Sequence, residues 1–312
     1  YIGAEAFADG RVSLDRNAAE LSIAEIAEKV GLGILECASG IVTIAEHQMA
    51  DLIRRMTIQK GFDPRDFVLF AFGGAGPMHA GVFAFELGVQ KVIVPQGSMA
   101  STWCAFGAAS ADMLHIAEYV DIMTSPFNTN AVNANFKRMV EELHMQFMDE
   151  RVPEDVQEFI CSIDVRHKGQ INEVEVPLPG IKLSEVNVAA IETDFHALYQ
   201  QIYGKGSSFM KAKLEAVTFR VRATAATAKP NFVVKRLTQD IPDAARSQPR
   251  RIYWRETHEL VETPVYRGAN LLPGNSISGP AVIETSDTTV IVHPGRKLSV
   301  DRYGNLEMVL ET

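Results

Sequence analysis

The segment FVLFAFGGAGPMHA, residues 67–80, constrains the fold more than any other part of the 312-residue chain. A short apolar run suited to a buried strand leads directly into a glycine-rich turn. Pro77 suits the first turn of a following helix, because its missing N–H has no helical partner there. A second apolar run, KVIVP at 91–95, follows. Strand, glycine turn, helix and strand in this order predict a βαβ unit with a parallel pair of strands.

The glycine turn is typical both of an anion or nucleotide site and of a tight packing turn. Glycines let the backbone approach a phosphate, and a helix N-terminus presents N–H groups with partial positive charge. FGGAG does not match GxGxxG, no acidic residue follows at the ribose-binding distance, and the Lys-Ser/Thr ending of a Walker loop is absent. The residues alone leave both interpretations open. His79, in the first helical turn, is either a packed residue or one that reaches a ligand.

Composition excludes several classes of protein. The chain is 46% hydrophobic and 22% charged, as in soluble globular proteins, and its length favours two domains. A net charge of -9 without a Lys/Arg run argues against a nucleic-acid partner. No apolar run approaches the roughly 20 residues of a membrane span. Because the chain begins at Tyr1 and not at Met, we expect the later part of a longer polypeptide or a processed subunit.

Cysteine and histidine spacing predicts neither a metal centre nor a disulfide framework. Cys37, Cys104 and Cys161 are far apart and form no CxxC pair, which favours buried thiols in a reducing cytoplasm. The histidines do not cluster at metal-ligand spacing. No nucleophile–base set can be assembled, so the catalytic residues stay unknown.

The periodicity predicts two domains joined by a linker, TSPFNTN, at 124–130. Residues 1–123 form the domain with the glycine turn, and residues 131–312 form an α+β domain with a largely antiparallel sheet. The small residues of 97–112 predict a helix packed closely on the sheet or, less simply, a close approach to a ligand. Helices are predicted at 15–33, 34–59, 77–87, 131–148 and 184–203. Strands are predicted at 67–72, 91–95, 158–164, 173–177, 215–223, 251–254, 281–284, 288–292 and 298–300.

Residues 61–95, GFDPRDFVLFAFGGAGPMHAGVFAFELGVQKVIVP, closely resemble the signature of the hydantoinase/oxoprolinase family in its A-type subunit. Similar segments follow one another in the family's order along nearly the whole chain. They are GRVSLDRNAAELSIAEIA (10–27), AFGAASADMLH (105–115), DVRHKGQINEVEVPLP (164–179), YGKGSSFMKAKLEAVTFRVRA (203–223) and LLPGNSISGPAVIETSDTTVIVHPG (271–295).

The resemblance implies an α/β plus α+β fold: the second lobe of an actin-like, sugar-kinase-like ATPase core, followed by a β-rich C-terminal domain. It implies ATP and Mg2+ as cofactors. Gly73, Gly74, Ala75 and Gly76 are then the nucleotide contacts, and His79 lies near the nucleotide or stabilises the loop. No residue of this chain is implied as a metal ligand.

The resemblance also implies part of an ATP-dependent enzyme that activates a carbonyl oxygen by phosphorylation and hydrolyses a cyclic amide such as hydantoin or 5-oxoproline. One alternative is a ketone carboxylase subunit of the acetone or acetophenone type. Another is a non-catalytic assembly subunit, since the family's first-lobe motif (DxGGTxTD-like) is absent from these residues. The expected partners are a B-type subunit and further copies of the chain, with no membrane or nucleic acid, in the cytoplasm.

Three segments differ from the family pattern. GSMASTWCAFGAASADMLH, 97–115, is longer and richer in small residues than the proline-glycine turn common in hydantoinases, which favours the carboxylase branch. YGKGSSF, 203–209, carries Lys205 after Tyr-Gly where many hydantoinase-like members have His, which favours the carboxylase branch. Tyr203, Gly204 and Lys205 are weaker candidates for a domain-interface or substrate-channel role. In DVRHKGQ, 164–170, His167 stands where the family pattern often has tyrosine, in a strand predicted to enter a turn at Gly169.

Overall fold

The computed structural model describes residues 2–7, 10–95, 99–238 and 241–310. The helices in these ranges are α1 (Arg16–Val30), α2 (Ile34–Ile58), α3 (Gly76–Glu86), α4 (Trp103–Ser110), α5 (Thr129–Asp149) and α6 (Glu185–Tyr203). The strands are β1 (Ala6–Phe7), β2 (Val12–Ser13), β3 (Leu69–Phe70), β4 (Lys91–Val94), β5 (Met113–Thr124), β6 (Gln157–His167), β7 (Val174–Pro177), β8 (Leu214–Ala225), β9 (Arg250–Trp254), β10 (Glu259–Thr263), β11 (Val265–Arg267), β12 (Ser276–Ser278), β13 (Ala281–Glu284), β14 (Thr289–Val292), β15 (Lys297–Val300) and β16 (Leu306–Val309).

The chain divides into two compact units. Unit 1 combines residues 1–109 with 231–312, and unit 2 is the continuous segment 110–230. The range 131–312, predicted as one domain, is therefore divided between the two units at residue 230. That the family's two domains meet at residues 124–130 stays a prediction.

The predicted βαβ unit is confirmed within unit 1. β3 and β4 are parallel, with Leu69 opposite Val92, and α3 connects them. β3 is shorter than the predicted run 67–72, and Phe67 and Phe70 are 47% and 44% exposed. β3 is the edge strand of its sheet, so no strand covers its outer side.

The C-terminal strands complete this sheet. β16 pairs antiparallel with β4, placing Leu306 opposite Val94, and the order across the sheet is β12-β15-β16-β4-β3. A second sheet of unit 1 has the order β11-β13-β14, and α3 packs against β14. Residues from both parts of the chain form one hydrophobic core, which includes Phe83, Val92, Val290 and Leu298.

Local signals explain where the first helices begin and end. The Asp15 side chain caps α1 by accepting a hydrogen bond from the Ala18 N–H at 2.9 Å. Gly31 ends α1 in the left-handed region at φ 72°, a conformation that glycine adopts without strain. Only Ala27 of α1 is buried. α2 contributes Ala50 to the core and packs against α3.

Unit 2 is a four-stranded antiparallel sheet, in the order β5-β8-β6-β7, with two helices packed against it. In α5, buried residues recur at helical spacing, including Phe136, Met139, Leu143 and Phe147. In β8, buried and half-buried residues largely alternate, so one face of the sheet meets the helices. The largely antiparallel region predicted here is confirmed.

The segment 124–130, predicted as a linker, is a packed turn inside unit 2 and does not connect the two compact units. The Ser125 N–H donates to the Leu214 carbonyl at 2.9 Å, and the Leu214 N–H donates to Ser125 Oγ at 3.1 Å. Phe127 is 8% exposed, and α5 already begins at Thr129. The Ser-Pro and Asn-Thr-Asn residues that predicted a flexible connection instead turn the chain and cap a helix.

The small-residue segment 97–112 also differs from its prediction. Gly97 and Ser98 lie outside the described residues, and α4 has no buried residue, so the prediction of a helix packed closely on the sheet is wrong. Trp103 instead stacks on Phe106 and on Phe70, with ring centroids 5.0 and 5.9 Å apart. Aromatic stacking at the edge of the sheet therefore holds this helix.

No single helix in the described ranges is both long and apolar enough to cross a membrane. α1 and α2 taken together, bent by 89°, satisfy the same length and composition criteria.

Candidate functional site

The glycine loop joins β3 to α3 and is held by two other segments of unit 1. Gly73 has φ 82°, a conformation that side chains disfavour, and its N–H donates to the Ala100 carbonyl at 2.7 Å. The Gly74 carbonyl accepts a hydrogen bond from Thr288 Oγ1 at 3.1 Å. The start of α3 is thus fixed from both sides of the loop.

Packing within the described residues does not explain every glycine of the loop. A Cβ at Gly76 would meet no described atom within 4 Å, and one at Gly74 would make an ordinary 3.7 Å contact with the Asp287 carbonyl oxygen. Gly73 is required by its backbone conformation, but Gly76 opens onto free space at the N-terminus of α3. A packing turn therefore accounts for Gly73, whereas packing within the described residues does not account for Gly76.

A cavity of about 320 Å³ lies directly beside the loop. This volume is at the lower end of the range typical of small-molecule sites. Its lining combines apolar side chains, loop backbone and a polar turn between β13 and β14. The lining residues are Phe7, Gly74, Ala75, Met78, Thr285, Asp287, Thr288 and Thr289.

Asp287 is the one acidic residue among the described residues that line this cavity. Its Oδ2 accepts hydrogen bonds from the Ser101 hydroxyl at 2.5 Å and the Ser101 N–H at 3.3 Å, and its Oδ1 accepts one from the Ser286 hydroxyl at 2.8 Å. Burial is the largest single influence on the pKa of Asp287 and raises it. The hydrogen-bond donors together outweigh burial, so the pKa of Asp287 is lowered. The lowered pKa favours the ionised form of this carboxylate, which attracts hydroxyl and amino donors and repels phosphates.

His79 points toward α2 and is not among the residues that line the cavity. Its Nδ1 lies 3.1 Å from Glu46 Oε1, and Glu46 is 2% exposed. Glu46 Oε2 accepts from the Arg255 guanidinium at 2.5 Å, and Arg255 also donates to Thr43 Oγ1 at 2.7 Å. These side chains connect α2, α3 and the turn after β9.

Sequence reasoning missed Asp287, Thr288, Ser101 and Glu46. The polar run TSDTT, between two strands of buried residues, was the available signal for the first two. Ser101 lies 186 residues from Asp287, and Glu46 lies 33 residues from His79, so sequence spacing carries no information about either contact.

The predicted absence of a metal centre stays a prediction. Among the described residues, no group of three His, Cys, Asp or Glu side chains is arranged to hold a metal ion. Cys37 and Cys161 are buried as predicted, and burial raises the pKa of the Cys161 thiol to about 11. Cys104 is exposed, which contradicts its predicted burial. It lies on α4, the helix without buried residues.

The segment with Tyr203, Gly204 and Lys205 belongs to unit 2. Tyr203 lies against Tyr199, with ring centroids 4.5 Å apart, at the end of α6. Gly204 ends the helix with φ 97°. Lys205 is exposed.

Family profiles match both parts of the chain. A profile described as hydantoinase/oxoprolinase matches residues 1–117, and one described as hydantoinase/oxoprolinase C-terminal domain matches residues 125–309. The acetophenone carboxylase gamma subunit of Aromatoleum aromaticum is 31% identical over 97% of this chain and 42% of its own length. The caprolactamase subunit alpha of Pseudomonas jessenii is 29% identical over 99% of this chain and 44% of its own length.

Solved structures agree with these matches. The ATP-dependent caprolactamase from Pseudomonas jessenii superposes with a TM-score of 0.89 at 28% identity, over 100% of this chain and 45% of that one. The nucleotide-free acetone carboxylase superposes with a TM-score of 0.71 over 98% of this chain and 44% of that one, and its 24% identity supports likeness of fold alone. The chain therefore spans less than half the length of these relatives.

Proposed function

The chain belongs to the hydantoinase/oxoprolinase family, and from this membership we propose that it is part of an ATP-dependent enzyme that activates a carbonyl oxygen by phosphorylation. The proposed reaction is the hydrolysis of a cyclic amide. The observation that carries the ATP site is the glycine loop 73–76, with open space at Gly76 and a cavity beside it. The description of the caprolactamase as ATP-dependent supports the same cofactor.

The cavity beside the loop suits the nucleoside end of ATP better than its phosphates. Phe7 and Met78 supply apolar surface for a base, and Asp287 would accept a hydroxyl or amino group. The same carboxylate would repel phosphate oxygens. Phosphates would instead lie toward the N–H groups at the start of α3, where Gly76 leaves room. Residues Gly73, Gly74, Ala75 and Gly76 are the proposed nucleotide contacts.

His79 completes the proposed site as a supporting residue. Its contact with buried Glu46 favours stabilisation of the start of α3 over contact with the nucleotide. Mg2+ is usually held by substrate phosphates and one or two carboxylates, so it needs no dedicated cluster in this chain. When bound with ATP, it would neutralise charge on the transferred phosphoryl group.

The finer assignments are proposals of the same kind. Unit 1 is proposed as the second lobe of an actin-like ATPase core, whose first lobe would supply the remaining phosphate contacts. Relatives named as alpha, beta and gamma subunits support partner subunits, of which a B-type subunit is the proposed one. Further copies of the chain and a cytoplasmic location are also proposed.

The second candidate function is that of a ketone carboxylase subunit. The 31% identity with an acetophenone carboxylase subunit favours it, and the TM-score of 0.89 with the caprolactamase favours the amide branch. Both candidates share the carbonyl phosphorylation step, so they differ in substrate and not in the ATP site. An assembly subunit without activity is the third candidate, and it predicts no ATP binding.

The test is ATP hydrolysis by the protein in its native assembly, offered hydantoin, 5-oxoproline or caprolactam, and acetone or acetophenone with and without bicarbonate. We expect stimulation by a cyclic amide. Stimulation by a ketone with bicarbonate would move the assignment to the carboxylase. Failure to bind ATP at all would leave the assembly role.

Two matched glycine variants connect this activity to the loop. In Gly76→Ala, the new methyl group enters space that no described atom occupies, so we expect at least about tenfold weaker ATP binding with unchanged thermal stability. Gly40→Ala, in α2, also meets no described atom within 4 Å and should bind ATP normally. Equal ATP affinity in both variants would contradict the proposed contact at Gly76.

A further inference from the structure

Unit 2 contains a buried histidine nitrogen without a hydrogen-bond partner. His167, the last residue of β6, is 3% exposed, and its Nδ1 has no partner among the described residues. The rings of Phe195, His196 and Tyr199 surround it, with centroids 5.0, 5.6 and 5.1 Å from that of His167. A buried polar atom left unsatisfied costs about 1–3 kcal/mol.

The contacts of the other ring nitrogen define the tautomer of His167. The Phe209 N–H points at His167 Nε2 from 3.4 Å, and the Ser208 hydroxyl lies 3.3 Å from the same atom. A backbone N–H can only donate, so Nε2 carries the lone pair and the proton of the neutral ring is on Nδ1. Ser208 Oγ also lies 2.6 Å from His196 Nδ1. One serine hydroxyl therefore lies between two histidines.

These contacts hold the loop 204–209, whose other hydrogen bonds are to residues close to it in sequence. The loop 204–209 contains Gly204 and Gly206, both with positive φ. It is fixed to the end of α6 by the Gly206 N–H, which donates to Gln200 Oε1 at 3.1 Å. Phe209 at its end is 66% exposed. Among the described residues, the contacts with His167 and His196 connect Ser208 and Phe209 to the body of the unit.

We propose that His167, Ser208 and His196 form a histidine latch, which holds the loop 204–209 closed while both rings are neutral and releases it when both are protonated. One added proton can be accommodated: a protonated His196 donates to Ser208, and Ser208 donates to His167. Two added protons cannot be accommodated, because both rings would then donate to the Ser208 oxygen. The Ser208 hydroxyl proton would have no acceptor on either ring, and the Phe209 N–H would point at the protonated Nε2 of His167.

The electrostatic surroundings set the pH range of the latch. Burial lowers the pKa of His167, and the neighbouring His196 lowers it further. Burial also lowers the pKa of His196, and the Glu192 carboxylate opposes this shift. Among the described residues that contact the His167 ring, Tyr199 also carries a titratable group, and its phenol donates to Gln170. Because the closed state favours neutral rings, its stability is complete above about pH 6.5 and falls as the pH drops below that value.

The latch is independent of the proposed ATP site. His167 and Ser208 fall in two segments that departed from the family pattern, DVRHKGQ and YGKGSSF, and the structure places these segments together. His196 lies between them on α6. Its predicted effect is a proton-controlled opening of the loop that carries the exposed apolar side chains of Phe209 and Met210. That effect can be measured without substrate or nucleotide.

Hydrogen exchange of peptides covering 204–212, corrected for intrinsic rates, tests the latch at pH 7.5 and 5.5. With open-state pKa values near 6.5, each histidine that stays neutral in the closed state raises the opening constant by at most about tenfold over this range, so we expect an increase of more than tenfold and at most about a hundredfold for the pair. His196→Gln keeps an acceptor for Ser208 but does not titrate, so its response should fall to at most about tenfold.

Controls make the outcome decisive. His144→Gln removes another histidine of unit 2, which contacts Gln157, and should keep the full response. Histidine 15N NMR at pH 7.5 should show His167 protonated at Nδ1, independently of any variant. The proposal is overturned by the opposite tautomer, by equal opening at both pH values, or by equal responses in the wild type and His196→Gln.

Discussion

A single buried carboxylate determines how α3 is held. Glu46 is 2% exposed and binds both Arg255 and His79, so three separate segments of the chain depend on its charge. Glu46→Gln keeps the shape and removes the charge, which leaves Arg255 without its counter-ion. We expect the variant to lose about 3 kcal/mol of unfolding free energy, measured by urea denaturation, because breaking a buried pair strands the other charge.

Glu20→Gln is the matched control at this scale. Glu20 pairs with Arg16 four residues away on α1, and both side chains are largely exposed, at 48% and 72%. An exposed pair of this kind contributes between zero and about 1 kcal/mol. Equal losses in the two variants would mean that burial of Glu46 contributes nothing to the strength of its pairs.

Elements were predictable from sequence wherever their signals were local. Gly31 ends α1, two residues before the predicted end at 33, and β3 and β4 are parallel because a helix of the right length connects them. β5, in contrast, was missed. Its sequence MLHIAEYVDIMT places Leu114, Ile116, Val120 and Ile122 on the outer face, each at least half exposed. With apolar residues on both faces, the alternation that identifies a half-buried strand is lost.

The outer face of the unit 2 sheet carries ion pairs between strands, one joining neighbours and one reaching across β6. Arg220 on β8 donates to Asp164 on β6 at 2.8 Å, and Arg222 donates to Glu175 on β7 at 2.5 Å. The bond from Arg222 is the largest of the influences that lower the pKa of Glu175, from 4.5 to about 2. A carboxylate whose pKa is lower in the folded state stabilises the fold at pH values above the pKa of the unfolded state. This contribution is lost as the pH falls from about 4.5 to 2.

The unfolding free energy of Glu175→Gln should therefore fall less steeply below pH 4.5 than that of the wild-type protein. The change in slope should be smaller than the roughly 1.4 kcal/mol per pH unit of one fully coupled proton, because Glu175 is 39% exposed and solvent screens its pairs. Urea midpoints between pH 5 and pH 2.5 measure it. Glu141→Gln, at an exposed pair with Lys137 on α5, should leave the slope unchanged. An unchanged slope in Glu175→Gln would contradict this prediction.

At the scale of the whole molecule, the two units differ in how much of the chain each requires. Unit 2 contains all four strands of its sheet and its own core within 110–230. Unit 1 needs β16 beside β4, and their facing residues, Leu306 and Val94, lie more than 200 positions apart. Pairing over this distance depends on complementary surfaces of the folded chain and leaves no signal in the local periodicity. For this reason the periodicity predicts residues 131–312 as one domain.

We therefore expect residues 110–230, expressed alone, to unfold cooperatively in urea with native-like circular dichroism. Residues 2–109 alone should not, because their share of the core lacks Val290, Leu298 and other residues contributed from beyond residue 230. Cooperative unfolding of the 2–109 fragment, or its absence in the 110–230 fragment, would show that the compact units are not the folding units.

The pairing of β16 with β4 also has a consequence for synthesis on the ribosome. β4 is complete at Val94, but its antiparallel neighbour begins only at Leu306. At about 5–20 residues per second, the open side of β4 waits roughly 10–40 s for that neighbour, while the whole of unit 2 emerges in between. During this interval the nascent chain presents an unpaired strand next to apolar side chains, so chaperone binding should concentrate on residues 67–95 until the last strand is made.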